Sequence, residues 1–290
     1  MIAFLGMGRL GANFVRALRR REAAVNVWNR SPEKARELET IGAKAFDDPA
    51  EAVRGATRIH LTVSDDTAVD AVLERASGAI GENCIIVDHT TTAPAPTLAR
   101  VRHWAARGIR YQHAPVFMGP SNALDGSGTM LLSGDHALFD ALAPALAPMT
   151  GKLVYLGEDP SRAASIKLIG NLFLLGMTAS LADMFALGDS LGIPATDAAQ
   201  IFDWFNPVAM APARATRMRG GDLADASWTL AMARKDARLM MESAEQQGGH
   251  LAVIPAIAVE MDRWLAAGHE RDDYMIIGSG ARGPMSPGAK

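Results

Sequence analysis

Gly6, Gly8 and Gly11 follow directly on the strand-type run IAFL at residues 2–5 and open a helix-type segment at 10–21. No other feature limits the fold of this chain so strongly. In a strand–turn–helix context, G-x-G-x-x-G lets the first glycine form a tight turn, the second admit a pyrophosphate, and the third pack helix on strand. The helix N-terminus then presents free N–H groups and a partial positive charge to phosphate. Gly6, Met7, Gly8, Arg9, Leu10 and Gly11 are therefore expected to cradle a dinucleotide.

The end of the second strand, AVNVW (24–28), selects between dinucleotides. NAD-binding chains carry Asp or Glu there to hold the ribose hydroxyls. This chain instead reads Asn29, Arg30, Ser31, with Lys34 one turn later. A guanidinium can pair with a 2′-phosphate through two parallel hydrogen bonds. NADP is thus preferred over NAD, and the plainer reading is an exposed arginine capping a loop.

Strand-type runs at 2–5, 24–28, 58–63, 84–89 and 109–116 alternate with amphipathic segments at 10–21, 32–40, 66–77 and 95–106. That alternation predicts βαβ units in a parallel, doubly wound sheet of Rossmann type. GTMLLSG (128–134) and KLVYLG (152–157) are expected to extend the sheet around a helix at 135–146. From Ser161 the strand signal disappears, and helical segments follow at 161–191, 196–205, 208–219, 228–247 and 251–267. The class is α/β with an all-α C-terminal domain. We place the boundary in GEDPS, giving a nucleotide-binding domain at 1–160 and a helical domain at 161–290, with an unpatterned mobile tail from about 278. Two domains also match 290 residues at ~150 per domain.

Charge and cysteine content exclude several classes. A net charge of −3 gives no electrostatic footprint for nucleic acid or anionic lipid. The single cysteine, Cys84, precludes an intrachain disulfide or a cysteine cage. The seven histidines lack metal-ligand spacing, so no metal is expected. With Ile2 already in a strand, no signal peptide is expected, and the cytoplasm is the expected compartment. The apolar stretch Leu168–Met184, interrupted by Asn171 and Asp183, reads as a buried helix and not a membrane span.

Lysine is scarce, with 23 arginines against six lysines. A lysine retained in such a chain can do what arginine cannot, which is lose its proton. Lys167 and Asn171 are four residues apart among Leu168, Ile169, Leu172, Phe173 and Leu174, so they share a helix face. Burial lowers a lysine's pKa and suits it to proton transfer. On spacing alone, a lysine snorkelling to the surface fits equally well. Lys235 shares an expected helix face with Trp228 and Ala231, and by itself this is an ordinary charged stripe.

Taken in order, GMGRLG (6–11), VWNRSPEKA (27–35), VDHTTTAP (87–94), APV (114–116), IKLIGN (166–171) and RKD (234–236) resemble the β-hydroxyacid dehydrogenase family over nearly the whole chain. That family includes 3-hydroxyisobutyrate dehydrogenases and glyoxylate or succinic semialdehyde reductases, and shares a 6-phosphogluconate dehydrogenase-like domain. The resemblance implies an NADP-dependent reductase that transfers hydride between nicotinamide and a small hydroxy acid or aldehyde. It makes Lys167 the general acid/base and Asn171 its companion at the substrate oxygen. It puts Thr91 near nicotinamide and substrate, Val63 and Ser64 at the cofactor, Lys235 at cofactor or substrate, and Trp228 in the pocket wall. It also implies a homodimer or homotetramer formed through the helical domain. One segment departs from the pattern. Where the family has Ser-Gly-Gly to anchor a carboxylate, this chain has Phe117, Met118 and Gly119, which makes a larger or less polar carbonyl compound a candidate substrate. The alternatives are an imine reductase-like enzyme, or a nucleotide-binding protein without catalysis.

Overall fold

A computed structural model describes residues 1–220 and 222–279 and divides the chain into two compact units, Met1–Leu172 and Phe173 onward. In the first, β1 (Ile2–Leu5), α1 (Arg9–Arg20), β2 (Val25–Trp28), α2 (Pro32–Arg36), β3 (Lys44–Phe46), α3 (Pro49–Val53), β4 (Arg58–Leu61), α4 (Asp66–Ala76), β5 (Ile85–Asp88), α5 (Pro94–Ala106) and β6 (Arg110–His113) follow one another. The strands form one parallel sheet in the order β3-β2-β1-β4-β5-β6. Both faces are covered, so β1 is a continuous apolar run, while β4 and β6 bury His60, Gln112 and His113 among their apolar residues. On β1, Phe4 points into the core with Phe14 and Val87, while Ala3 and Leu5 join Ile59, Ile86 and Leu73 on the other face.

The remaining strands do not extend this sheet. β7 (Val116–Phe117), α6 (Pro120–Asp125), β8 (Thr129–Leu132), α7 (His136–Leu146) and β9 (Lys152–Tyr155) build a separate sheet, β7-β8-β9, in which β7 runs antiparallel to β8. The physical reason lies at Pro115, which lacks an N–H and interrupts the expected strand 109–116 after His113.

α8 (Arg162–Ser190) begins in the first unit, which runs on to Leu172, and continues in the second. Its expected burial does not hold in the single chain. Leu172 and Leu175 are 73% and 69% exposed, and Ile169, Phe173 and Leu174 are exposed as well. By length and composition α8 would also suffice to cross a membrane, correcting the expectation that this stretch falls short of a span.

In the second unit come α9 (Ala195–Ala199), α10 (Ile201–Trp204), α11 (Ala211–Gly220), α12 (Leu230–Glu245) and α13 (Ile254–Ala266). α12 packs on α13 through Leu230, Ala233, Ala237, Ala258, Met261 and Trp264. The carboxylate of Asp183, on α8, accepts the N–H groups of Ala252, Val253 and Ile254 at 2.7, 2.8 and 3.0 Å, and so caps α13. Apart from its first two residues, the tail expected from about 278 lies outside the described residues.

The sheet core contains an unusual polar element. His60 and His89 stack with ring centroids 5.2 Å apart against Phe4, and His60 Nδ1 lies 2.9 Å from His89 Nε2. Burial pushes both imidazoles down, His60 well below the usual value and His89 to about 4. Both are therefore neutral in the fold, whereas the unfolded chain binds protons near pH 6.5. Stability is full above that pH and declines as pH falls toward 4. For His89 alone the expected loss is roughly 3 kcal/mol. A thermal melting temperature that stays flat from pH 7 to 5 would contradict this.

Candidate functional site

The ends of β1, β2, β4 and β5 converge where the strand order reverses about β1, the place at which an open parallel sheet forms a crevice. A cavity of about 720 Å³ lies there. The three glycines are needed for different reasons. Gly6 has φ +97°, and a Cβ there would overlap the Thr62 carbonyl oxygen. A Cβ on Gly11 would overlap the Gly6 carbonyl oxygen, so α1 can pack this close only without a side chain. Gly8 caps α1 and meets nothing within 4 Å on the Cβ side, which leaves open the approach to the helix N-terminus.

Gly6, Gly8, Arg9, Leu10 and Gly11 line this cavity together with Asn29, Arg30, Lys34, Val63, Ser64 and Thr91. Met7 and Ser31 do not. The Met7 side chain packs in the core and its N–H is donated to Asn29 Oδ1 at 2.9 Å, while Ser31 precedes α2 as its cap residue. Asn29 also donates from Nδ2 to the Ser31 carbonyl, so its carboxamide ties the first two crossover loops together.

Sequence reasoning missed one wall: Ala68, Ala71, Val72 and Arg75 come from one face of α4. Their i, i+3, i+4, i+7 spacing was the available signal. Among the described residues lining the cavity, four are cations (Arg9, Arg30, Lys34 and Arg75) and none is a carboxylate. That donor set fits a dinucleotide, with amides and cations available to its phosphates.

The loop after β5 is held by buried polar groups. Asp88 accepts the Thr90 N–H at 2.8 Å and the Tyr111 hydroxyl at 2.5 Å. Asp66 accepts the Ala93 N–H at 3.0 Å and pairs with buried Arg100, which also reaches Asp70 at 2.5 Å. Asp65 caps α4, accepting the Ala68 N–H. His113 is buried with Nε2 2.9 Å from the Thr90 carbonyl oxygen and so supports this loop. Thr91 stands exposed at the cavity edge.

Lys167 lies in the second turn of α8 and is 9% exposed. Burial lowers its pKa. Its Nζ sits 4.4 Å from the centroid of the Phe117 ring. Asn171 follows one turn later on the same face, half-buried. Trp228 and Lys235 belong to the second unit. Trp228 precedes α12, because Thr229 caps that helix, so the two do not share a helix face. Trp228 packs on Tyr274 at 4.8 Å, and half-exposed Lys235 pairs with Asp236 at 2.8 Å. Among the described residues, no three His, Cys, Asp or Glu side chains gather as a metal-binding group.

Residues 1–157 match the model of the NAD binding domain of 6-phosphogluconate dehydrogenase. The chain is 28% identical to glyoxylate/succinic semialdehyde reductase 1 of Arabidopsis thaliana, over 70% of this chain and 71% of that protein. It is 24% identical to the 3-sulfolactaldehyde reductase of Escherichia coli (strain K12), over 95% and 94%. Among solved structures, the imine reductase from Myxococcus stipitatus in complex with NADP+ superposes with a TM-score of 0.88 at 22% identity, over 96% of this chain and 98% of that one. The Streptomyces aurantiacus imine reductase gives 0.87 at 25% identity, over 95% and 97%.

Proposed function

The chain belongs to the β-hydroxyacid dehydrogenase family and is an NAD(P)-dependent oxidoreductase, and from that premise we propose an NADP-preferring carbonyl reductase in which Lys167 is the general acid. The observation that carries this reading is a buried lysine whose pKa is lowered by desolvation, sharing a helix face with a carboxamide. When bound, the dinucleotide supplies the hydride. Lys167 Nζ gives its proton to the substrate oxygen as negative charge develops there, and in oxidation takes it back. Asn171 Nδ2 donates a hydrogen bond to the same oxygen, and Thr91 borders the reacting end. The N–H groups of α1 and the side chains of Arg9, Arg30, Lys34 and Arg75 hold the phosphates.

The direct test is NADPH oxidation at neutral pH, with NADH in parallel, across glyoxylate, succinic semialdehyde, an apolar aldehyde and a cyclic imine. Tight NADPH binding without turnover of any of them would overturn the reductase reading in favour of a nucleotide-binding protein. Turnover of the imine alone would favour the imine reductase reading, which the apolar side chains of Phe117 and Met118 support. Cofactor preference has its own test. Arg30→Ala is expected to weaken NADPH binding by roughly 10- to 100-fold, the worth of a charge-assisted pair, and NADH far less. Fluorescence titration reads both, and equal losses would remove Arg30 from the 2′-phosphate.

We also propose that a second copy of this chain covers the exposed leucines of α8. The Asp183 cap supports a protein partner over a bilayer, since a span would carry a carboxylate into hydrocarbon. Light scattering should find two or four times the 30.8 kDa chain mass. A single 30.8 kDa species would contradict it.

A further inference from the structure

Phe117 ends β7, paired with Thr129 on β8. Its ring is seated on α8 where that helix has no side chain. A Cβ on Gly170 would overlap the ring's Cζ and stand 2.6 Å from Cε1. Lys167, three residues earlier on α8, places its ammonium 4.4 Å from the ring centroid. The strand carrying the ring is also fixed from behind, because Gly128, at φ +79°, leaves room for the Met118 side chain and the Phe117 carbonyl.

The polar groups of Gly119 and Asn122 are already committed. Gly119 donates its N–H to Asn122 Oδ1 at 2.8 Å, Asn122 Nδ2 donates to Ser127 Oγ at 2.9 Å, and Pro120 has no N–H. The wall beside the proposed acid is therefore an aromatic face followed by a turn whose Gly119 N–H and Asn122 carboxamide are turned on each other and on Ser127.

We propose that Phe117 is a specificity-determining residue that selects carbonyl compounds flanked by an uncharged, apolar group and rejects those bearing a carboxylate next to the carbonyl. This rests on the reading of Lys167 as the acid at the reacting oxygen, and it deepens that reading by naming the substrate class. Two effects act together. A ring face is the negative side of an aromatic quadrupole, so it attracts the ammonium and repels an anion. A carboxylate placed there would also lose hydration, and the donors at hand, the Lys167 ammonium and the Asn171 carboxamide, are the ones the carbonyl oxygen needs. An apolar flank instead gains contact with the ring.

The test compares wild type, Phe117→Ser and Phe117→Leu as full chains. With NADPH, wild type should favour cyclohexanecarboxaldehyde over glyoxylate in kcat/KM. Phe117→Ser should shift that ratio toward glyoxylate by at least about tenfold, while Phe117→Leu, which stays apolar, should hold it within about threefold. Calorimetric titration with NADP bound reads the same selection without turnover. Isobutyramide should bind wild type at least about tenfold tighter than oxamate, and Phe117→Ser should erase that difference. Equal binding of the two ligands by wild type, or a ratio that Phe117→Ser leaves unchanged, overturns the proposal. If Phe117→Ser does not fold, a Phe117→Leu ratio that moves to glyoxylate overturns it as well. Failure of every variant to turn over either aldehyde, with the binding order as expected, sinks the reductase reading and leaves the selector standing.

Discussion

Lys167→Met is expected to lower kcat by about 10²- to 10⁴-fold, the usual contribution of a positioned acid, with NADPH binding unchanged. Methionine keeps the length and apolar stem of lysine, so the Phe117 ring retains a neighbour and the fold should persist. The wild-type profile carries a second sign. In reduction the protonated amine is the active form, so the rate should fall as pH rises through the pKa of Lys167. Burial lowers that pKa, which brings the descending limb below the ordinary lysine range. The variant should lose this limb along with its rate. Lys167→Arg sharpens the comparison, since it keeps the charge but cannot release a proton at any accessible pH. Near-normal turnover in either variant would remove Lys167 from the chemistry.

Gly11→Ala is expected to fail at the level of the fold. The added methyl would overlap the Gly6 carbonyl oxygen, and Gly6 already occupies a left-handed conformation reserved for glycine. Relief requires α1 to move off β1, an overpacking cost of about 1–3 kcal/mol or more. Melting should drop by roughly 4–10 °C, and NADPH binding should be lost with it. Gly8→Ala separates the two effects, because its methyl would enter open space. That variant should melt like wild type and still bind NADPH poorly, since its methyl stands where the backbone must meet a phosphate. Unchanged affinity in Gly8→Ala would move the pyrophosphate away from the α1 N-terminus.

The parallel sheet was readable because central strands buried on both faces carry short apolar runs, as IAFL and the IIV of β5 do. β3 escaped notice because three residues, one an exposed lysine, carry no periodicity. The second sheet was misassigned to the first because its chain break depends on one missing N–H, at Pro115. Spacing identified the glycine cradle, since all three positions fall within six residues. It missed the α4 wall, which joins that cradle only through tertiary packing. Met7 was placed at the cofactor by its neighbours in sequence, but a side chain between two turn glycines can point either way, and this one enters the core. The contact between Phe117 and Lys167 spans 50 residues and had no local signal. Exposure of α8 was hidden for a different reason, because an apolar helix reads the same whether its cover comes from its own chain or another.

The stacked histidines have a direction as well as a charge state. Arg58 donates from Nε to His60 Nε2 at 2.7 Å, and its guanidinium always carries that proton. His60 Nε2 must then be the acceptor, so its one proton sits on Nδ1 and points to His89 Nε2. By the same logic His89 is protonated on Nδ1 and donates to the Ala114 carbonyl at 2.8 Å. The column is thus a one-way relay of dipoles from the start of β4 to the residue before Pro115. Arg58→Glu would reverse it: an acceptor at one end would draw both protons toward itself and leave a lone pair facing the Ala114 oxygen at the other. A single half-exposed side chain at the start of a central strand thereby sets the polarity of two buried rings, and through them the carbonyl from which the second sheet departs.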